Sequence, residues 1–370
     1  MVVEVVIAGG GTGGHTSPGL AVAALLRERS IGCAWIGSRT GVEARRAPER
    51  DIAYFAIPTG KLRRYWAWQN VVDLAVSVPA GVASARRLLG RLRPRVVFAT
   101  GGFVALPVVL AAATLRLPIV IHEQTTAPGL ANRIGARFAR RIAVTFPDGG
   151  DHFPPGKVVV TGNPLRPELR GGSPDDAVRR FGLDAVLPLV YVTGGAQGAH
   201  RINRAIGPLL PPLLERAQVI HQCGANPATG DRQWLEARRA ALPEPLRARY
   251  TVVPYVGSEL AGIYAATTLV VARAGAGTVN ECCQLGLPVL YIPLPGTSGD
   301  EQTLNARLVE RAGGAVVLPQ AELTPERLLA ELRALLGEPR RLKDMGARAV
   351  TLAVPDAAAR LVSLLIEVWR

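Results

Sequence analysis

Short, unbroken apolar runs alternate along the chain with longer segments whose apolar residues return at helical spacing. Runs at Val2 to Ala8, Cys33 to Ile36, Val96 to Ala99, Ile119 to Ile121 and Ile142 to Val144 are mostly separated by helix-length stretches. Apolar residues at every position, rather than every second one, mark strands buried on both faces of a parallel sheet with crossover helices. A second series runs through Leu187 to Val192, Gln218 to His221, Tyr250 to Pro254, Leu269 to Ala272 and Val289 to Ile292. The pattern predicts two doubly wound α/β halves.

The break between them falls near Gly162-Asn163-Pro164, because Pro167 and the polar stretch Gly171-Gly172-Ser173-Pro174-Asp175-Asp176 precede the next helix, around Ala177 to Phe181. This places a linker at 162–166, between domains 1–163 and 164–355. After Pro355, Leu361, Leu364, Leu365 and Val368 recur at helical spacing, with Asp356 as candidate N-cap, so a last helix, 356–370, packs back onto a domain. The uncharged stretch from Val96 to Leu115 is long enough to span a bilayer, but Gly101-Gly102 and Pro107 divide it into a strand, a turn and a helix. Val2 to Ala8 carries Glu4 and lacks the features of a signal peptide.

Composition adds limits. At 370 residues the chain exceeds what one core usually holds. Its four cysteines form neither a CxxC nor a Cys/His ligand spacing, which points to a reduced cytoplasmic protein without structural zinc. A net charge of +14 suits a polyanionic partner. Half of that excess lies between Lys61 and Arg95, where Lys61, Arg63, Arg64, Arg86, Arg87, Arg91, Arg93 and Arg95 face Asp73 alone. Tyr65, Trp66, Trp68, Val71, Val72, Leu74 and Val76 are interleaved with these cations. Such a mixture suits peripheral attachment to an anionic bilayer. No nucleic-acid module accompanies the charge, so nucleic acid is not expected as a partner.

Candidate chemistry sits at three glycine-rich junctions. The first strand runs into Gly9-Gly10-Gly11-Thr12-Gly13-Gly14-His15 and then Thr16-Ser17-Pro18, where Ser17 is a candidate helix cap and Pro18 fits a first turn. Thr193-Gly194-Gly195-Ala196-Gln197-Gly198-Ala199 repeats the device, and Ala272-Arg273-Ala274-Gly275-Ala276-Gly277-Thr278 opens a helix bearing Glu281. A glycine corner lets backbone approach a ligand, and the helix start aims amides at negative charge. A carboxylate placed like Glu281 can accept both hydroxyls of a ribose. Gly9, Gly11 and Gly14 also satisfy GxGxxG, which raises an NADP-dependent reductase. Dinucleotide binding through the ribose hydroxyls wants an acid at the end of the second strand, where Trp35-Ile36-Gly37-Ser38-Arg39 offers none, and Arg39 would suit only a 2′-phosphate.

In order and spacing, GGTGGHTSPGLAVA from Gly10, GKLRRYWAWQN from Gly60, TGGFVALP from Thr100, HEQ from His122, PGLANR from Pro128, GNPLRPEL from Gly162, GGAQGAHRIN from Gly194, RAGAGTVNE from Arg273 and DEQTLNA from Asp300 resemble the MurG family of GT-B glycosyltransferases. The resemblance covers nearly the whole chain. It implies two Rossmann-like domains facing a cleft, acceptor and membrane on the N-terminal one and UDP-N-acetylglucosamine on the C-terminal one, with the last helix returning to the first. It also implies transfer of N-acetylglucosamine to the C4 hydroxyl of a muramyl-pentapeptide carried on undecaprenyl pyrophosphate, at the cytoplasmic face of the inner membrane. Carried over residue by residue, donor contacts fall on Thr12, Gly13, Gly14, Thr125, Arg166, Ala196, Val256, Arg273, Ala276, Gly277, Thr278, Val279, Asn280, Glu281 and Gln302, and acceptor contacts on Gly101, Gly102 and Asn132. The membrane surface falls on Tyr65, Trp66, Trp68, Val72 and Val76. Thr125 stands where the family usually has Asn, and Ala196 where it has Ser, so a side-chain contact is lost at each.

Sugar transfer needs a base for the acceptor hydroxyl and stabilisation of departing UDP. His15 is the candidate base, with Glu123 as the second. The chain has no Asp-x-Asp pair, so helix starts and Arg166 or Arg273 are expected to meet the diphosphate charge without a protein-bound metal. Direct displacement would convert an α-linked donor to a β-linked product. The alternatives are another GT-B enzyme using UDP-N-acetylglucosamine (a lipid glycosyltransferase or an epimerase), the reductase, and a non-enzymatic membrane scaffold. The basic, aromatic stretch makes a separate prediction. The protein should sediment with vesicles containing anionic lipid at low salt and be released as salt rises, whereas equal recovery with neutral vesicles would contradict charge-driven attachment.

Overall fold

The computed structural model describes residues 2–60 and 77–370. Lys61, Arg63, Arg64, Tyr65, Trp66, Trp68, Val72 and Val76 lie outside the described residues. The chain divides into two compact units, residues 1–166 with 354–370, and residues 167–353.

The first unit is built on a parallel sheet of seven strands in the order β3-β2-β1-β4-β5-β6-β7. These are β1 (Val5–Gly9), β2 (Cys33–Gly37), β3 (Ala53–Ala56), β4 (Val96–Gly101), β5 (Ile119–Glu123), β6 (Arg141–Val144) and β7 (Val158–Val160). Val5 is in register with Cys33 on one side and with Val96 on the other. The apolar runs resolve into two interleaved sets. Val6, Ala8, Ala34, Ile36, Val97 and Ala99 join one core cluster, and Val5, Ile7, Trp35, Phe98 and Val120 join another. Successive strand residues point to opposite faces, so both faces must be covered. The second cluster includes Val22 and Leu26 of the Gly13–Glu28 helix and Leu361, Leu364, Leu365 and Val368 of the Ala357–Trp369 helix.

Two helix starts differ from the sequence expectation. The first helix opens at Gly13, not after Ser17, with an extended Thr12 at its N-cap and Pro18 inside it. The first backbone bond, Thr16 N–H to Thr12 O, and the Thr16 hydroxyl on the same oxygen close the turn ahead of the proline. Pro18 has no amide to offer back along the helix, a cost kept near its beginning. Asp356 stands at the N-cap of the last helix, but its side chain makes no capping bond, its carboxylate accepting from Arg360 Nε at 2.9 Å instead.

The second unit has a parallel sheet of six strands in the order β10-β9-β8-β11-β12-β13. They are β8 (Leu189–Thr193), β9 (Gln218–Gln222), β10 (Tyr250–Val253), β11 (Leu269–Ala272), β12 (Val289–Tyr291) and β13 (Ala315–Val317). Leu269 pairs with Val190, and Leu189 with Gln218, so β8 lies between β9 and β11. The stretch from Val96 to Leu115 is β4 followed by the Ala105–Thr114 helix. No helix among the described residues is long and apolar enough to cross a membrane.

Each sheet buries a histidine in its neutral form. On β5, His122 Nε2–H donates to the Gly162 carbonyl at 3.0 Å. On β9, His221 Nε2–H donates to Asn203 Oδ1 and its Nδ1 accepts from the Tyr250 hydroxyl, both at 2.9 Å. Asn203 uses its amino group on Cys223 O and Asp231, which leaves Oδ1 as acceptor. Burial pushes His122 down to about 4 and His221 down to about 3. Folded values below the unfolded 6.5 mean that the unfolded chain binds more protons as pH falls. The contribution to stability is complete above that unfolded value and is lost as pH drops through it toward the folded values. Urea midpoints should therefore decline from pH 7 to 4, and a His221→Asn variant should show a shallower decline; a midpoint independent of pH would contradict neutral burial.

Candidate functional site

In both sheets the strand order reverses beside the first strand of the unit, at β1 between β2 and β4 and at β8 between β9 and β11. Ligands of open parallel sheets bind outside the carboxyl ends of the strands at such a switch point. All three glycine corners lie there, after β1, β8 and β11. Each runs into a helix with no side-chain cap, at Thr12, Ala199 and Gly275. The first amides of these helices have no acceptor within the helix.

In the first unit the end of β4 organises His15. The imidazole Nδ1 lies 3.1 Å from Thr100 O and 2.9 Å from Gln124 Oε1. The Gln124 amino group donates to the same Thr100 carbonyl at 2.6 Å, which orients the amide with Oε1 toward His15. A carbonyl oxygen only accepts, so Nδ1 carries the hydrogen and Nε2 keeps its lone pair. The Thr100 hydroxyl also donates to the His15 backbone carbonyl at 2.6 Å, fixing the helix turn as well as the ring. Space for this is made by Gly102 at φ +80°, where a Cβ would lie 2.4 Å from Gly10 O and 3.3 Å from the imidazole. At Gly101 a Cβ would lie 3.1 Å from His15 Nδ1. These two glycines, expected to touch acceptor, have a structural reason in the packing around His15.

Glu123 is buried at the end of β5, and its carboxylate is occupied by its own loop. Oε1 accepts from the Thr125 amide at 3.1 Å and the Thr125 hydroxyl at 2.8 Å. Oε2 accepts from Gly129 N at 3.3 Å and Asn132 Nδ2 at 2.9 Å. The Thr125 hydroxyl also reaches Ala127 O at 2.6 Å, so its single hydrogen is engaged within the loop. Asn132 is buried and also donates to His122 O at 3.3 Å. Glu123, Thr125 and Asn132 thus brace one another.

In the second unit the corner after β8 is tied down by Gly195 N to Thr193 Oγ1 and Gly198 N to Gly195 O, both at 3.0 Å, which leaves Ala196 and Gln197 exposed. Gly198, at φ +79°, passes so close to β9 that a Cβ would lie 2.0 Å from Cys223 O. After β11, the Ala276–Leu285 helix begins at Gly275, and its first backbone bond is Val279 N to Gly275 O. Ala276, Gly277 and Thr278 therefore present amides outward from a partly exposed turn. The side chains of Val279 and Asn280 are buried. Glu281 is nearly buried, and Tyr264 donates to its Oε2 at 3.2 Å. Gln302 accepts from Leu294 N at 3.0 Å, and Val256 is buried.

Arg273, expected at the diphosphate, is engaged within its own unit. Its two terminal nitrogens donate to Ile292 O at 2.8 Å and Gln320 Oε1 at 2.5 Å, and burial pushes its guanidinium down to about 10. These bonds tie it to residues just beyond the ends of β12 and β13. Arg166 closes the first unit, and Thr12, Gly13 and Gly14 are exposed at the start of the first helix. Of the basic stretch, Arg86, Arg87 and Arg91 are exposed on the Val78–Leu92 helix. Arg95 pairs with Glu4 at 3.8 Å and lies over Trp369. Among the described residues no cluster of three or more His, Cys, Asp or Glu could hold a metal ion. Sequence reasoning gave no role to Thr100 or Gln124, although both stand in the strings TGGFVALP and HEQ beside His15.

The glycosyltransferase family 28 N-terminal domain matches residues 5–144, and the family 28 C-terminal domain matches residues 189–361. A UDP-N-acetylglucosamine–N-acetylmuramyl-(pentapeptide) pyrophosphoryl-undecaprenol N-acetylglucosamine transferase of Shouchella clausii is 38% identical over 97% of this chain and 98% of its own. The protein of the same name from Nocardioides is 38% identical over 99% and 98%. The crystal structure of Acinetobacter baumannii MurG matches 99% of each chain with a TM-score of 0.76 at 28% identity. With both family 28 domains on parallel-sheet α/β units of the GT-B class, this chain belongs to the MurG family of glycosyltransferases.

Proposed function

We propose that the protein moves N-acetylglucosamine from UDP to the C4 hydroxyl of an N-acetylmuramyl-pentapeptide carried on undecaprenyl pyrophosphate. The second unit takes the donor. Glu281 accepts the ribose hydroxyls, and the amides of Ala276, Gly277 and Thr278, with the exposed Ala196 turn, meet the diphosphate. Val256 and Gln302 complete the donor pocket of this unit. The first unit takes the acceptor, and the exposed arginines of the Val78–Leu92 helix meet anionic headgroups at the cytoplasmic face of the membrane.

In the reaction the acceptor oxygen attacks the anomeric carbon as its proton passes to His15 Nε2. The bond from that carbon to the β-phosphate oxygen breaks, and the electron pair leaves on UDP. Attack opposite the leaving group inverts the α-linkage to β. The amide-rich helix starts favour the leaving diphosphate as its charge develops.

One observation carries the assignment of roles. The Thr100 carbonyl holds the hydrogen of His15 on Nδ1 and so presents Nε2 as a proton acceptor. Glu123 already accepts from the Thr125 and Gly129 amides and Asn132 Nδ2, with the Thr125 hydroxyl shared between it and Ala127 O, and is read as a brace. The dinucleotide reading loses support because the buried Glu43 carboxylate fills the space beside Gly10.

Transfer of radiolabelled sugar to a synthetic muramyl-pentapeptide lipid tests the proposal. The wild-type protein should form the disaccharide lipid, and His15→Ala should lose roughly 10²- to 10⁴-fold in rate. Calorimetric binding of UDP-N-acetylglucosamine should persist in the variant. A near-normal rate would remove His15 as the base.

A further inference from the structure

The first glycine corner does not point all its amides outward. Gly11 N donates to Glu43 Oε2 at 2.8 Å. Glu43 belongs to the short Val42–Arg46 helix and is completely buried. Its other oxygen accepts from Ser38 N at 3.0 Å and Ser38 Oγ at 2.6 Å, and Ser38 Oγ accepts in turn from Gly41 N at 2.9 Å. Tyr54 closes the far side with a hydroxyl bond to Ser38 O.

The socket is shaped for this carboxylate. A Cβ on Gly10 would lie 2.1–2.5 Å from three of its atoms, one on Gly41 would lie 2.2 Å from both oxygens, and one on Gly37 would lie 2.8 Å from Glu43 Cγ. A charge fully removed from water stays only where several donors meet it, and here three do. The corner is therefore divided. Gly11 faces inward to Glu43, while Gly13 and Gly14 open the helix that carries His15.

We propose that Glu43 is a positioning residue for sugar transfer, its carboxylate standing where a ligand anion would otherwise sit against Gly11 and setting the turn that aims His15 Nε2. The inference rests on the transferase reading above and deepens it. It assigns the first corner to holding the base, with the donor diphosphate left to the second unit.

Glu43→Gln tests this with little change in size. The side chain then has one acceptor oxygen and one amino group, while both sides of the socket offer backbone N–H donors. Keeping its oxygen on Ser38 turns the amino group against Gly11 N and displaces the turn. Leu361→Ala is the control, since it lowers the stability of the same unit and leaves every bond of the socket in place.

Glu43→Gln should lower kcat roughly 10- to 100-fold through misplacement of the imidazole. KM for UDP-N-acetylglucosamine should stay within about threefold, because donor binding is not what the turn controls. Leu361→Ala should keep near-normal kcat even if its melting point falls. The ¹⁵N resonances of the His15 ring, which need no turnover, should show the Nδ1–H tautomer in the wild type and a changed balance in Glu43→Gln.

If Glu43→Gln does not fold, Glu43→Asp retracts the carboxylate by one methylene and should give the same kcat and ring signature. Wild-type kcat with an unchanged His15 spectrum in the Glu43 variant would overturn the proposal, as would kcat losses in both variants that merely follow their loss of stability. Failure of the wild type to transfer sugar would instead strike at the transferase reading, with the ring signature still deciding this one.

Discussion

At each switch point, backbone has to pass backbone with no side chain between. Gly102 clears Gly10 O beside β1, and Gly198 clears Cys223 O beside β8. A methyl group at either place would meet a carbonyl oxygen at 2.4 Å or less. This close passage brings the end of β4 against the helix that follows β1, so that a strand carbonyl can hold a histidine on a neighbouring element. Helix starts also stand open after β8 and β11, where amides with no internal acceptor favour an anion.

The two units use the same corner for different tasks. In the first, an internal carboxylate answers the Gly11 amide, and the Thr100 carbonyl sets the imidazole. In the second, the amides of Ala276, Gly277 and Thr278 remain directed outward beside the Glu281 carboxylate. A buried carboxylate also stands behind the second corner. Asp231 accepts from Asn203 at 2.8 Å and Arg204 at 3.0 Å and pairs with His200 at 2.8 Å, gathering the first turns of the His200–Leu214 helix. Buried polar groups satisfied in this way hold a turn in one geometry.

The central strands were legible because burial on both faces writes an uninterrupted apolar run, as in Val96 to Ala99 or Leu269 to Ala272. The edge strands β3, β7 and β13 were not, being three or four residues long and partly exposed, with too few apolar positions to stand out from turns. The glycine corners, His15 and Glu281 could be read from residue type and spacing. Their supports could not, since Glu43 reaches Gly11 across 32 residues and Gln124 reaches His15 across 109. Arg273 and Thr125 show the converse. Each is a residue type suited to substrate, yet each is turned to a carbonyl of its own unit, a choice made by local geometry rather than composition.

The central claim is that the open helix starts of the second unit, rather than the first glycine corner, grip pyrophosphate. A crystal structure with UDP-N-acetylglucosamine tests it most directly. The diphosphate oxygens should lie about 3 Å from the amide nitrogens of the Ala276 to Thr278 turn, with the ribose on Glu281. A diphosphate lodged instead against Gly11, with Glu43 displaced from its socket, would contradict the account.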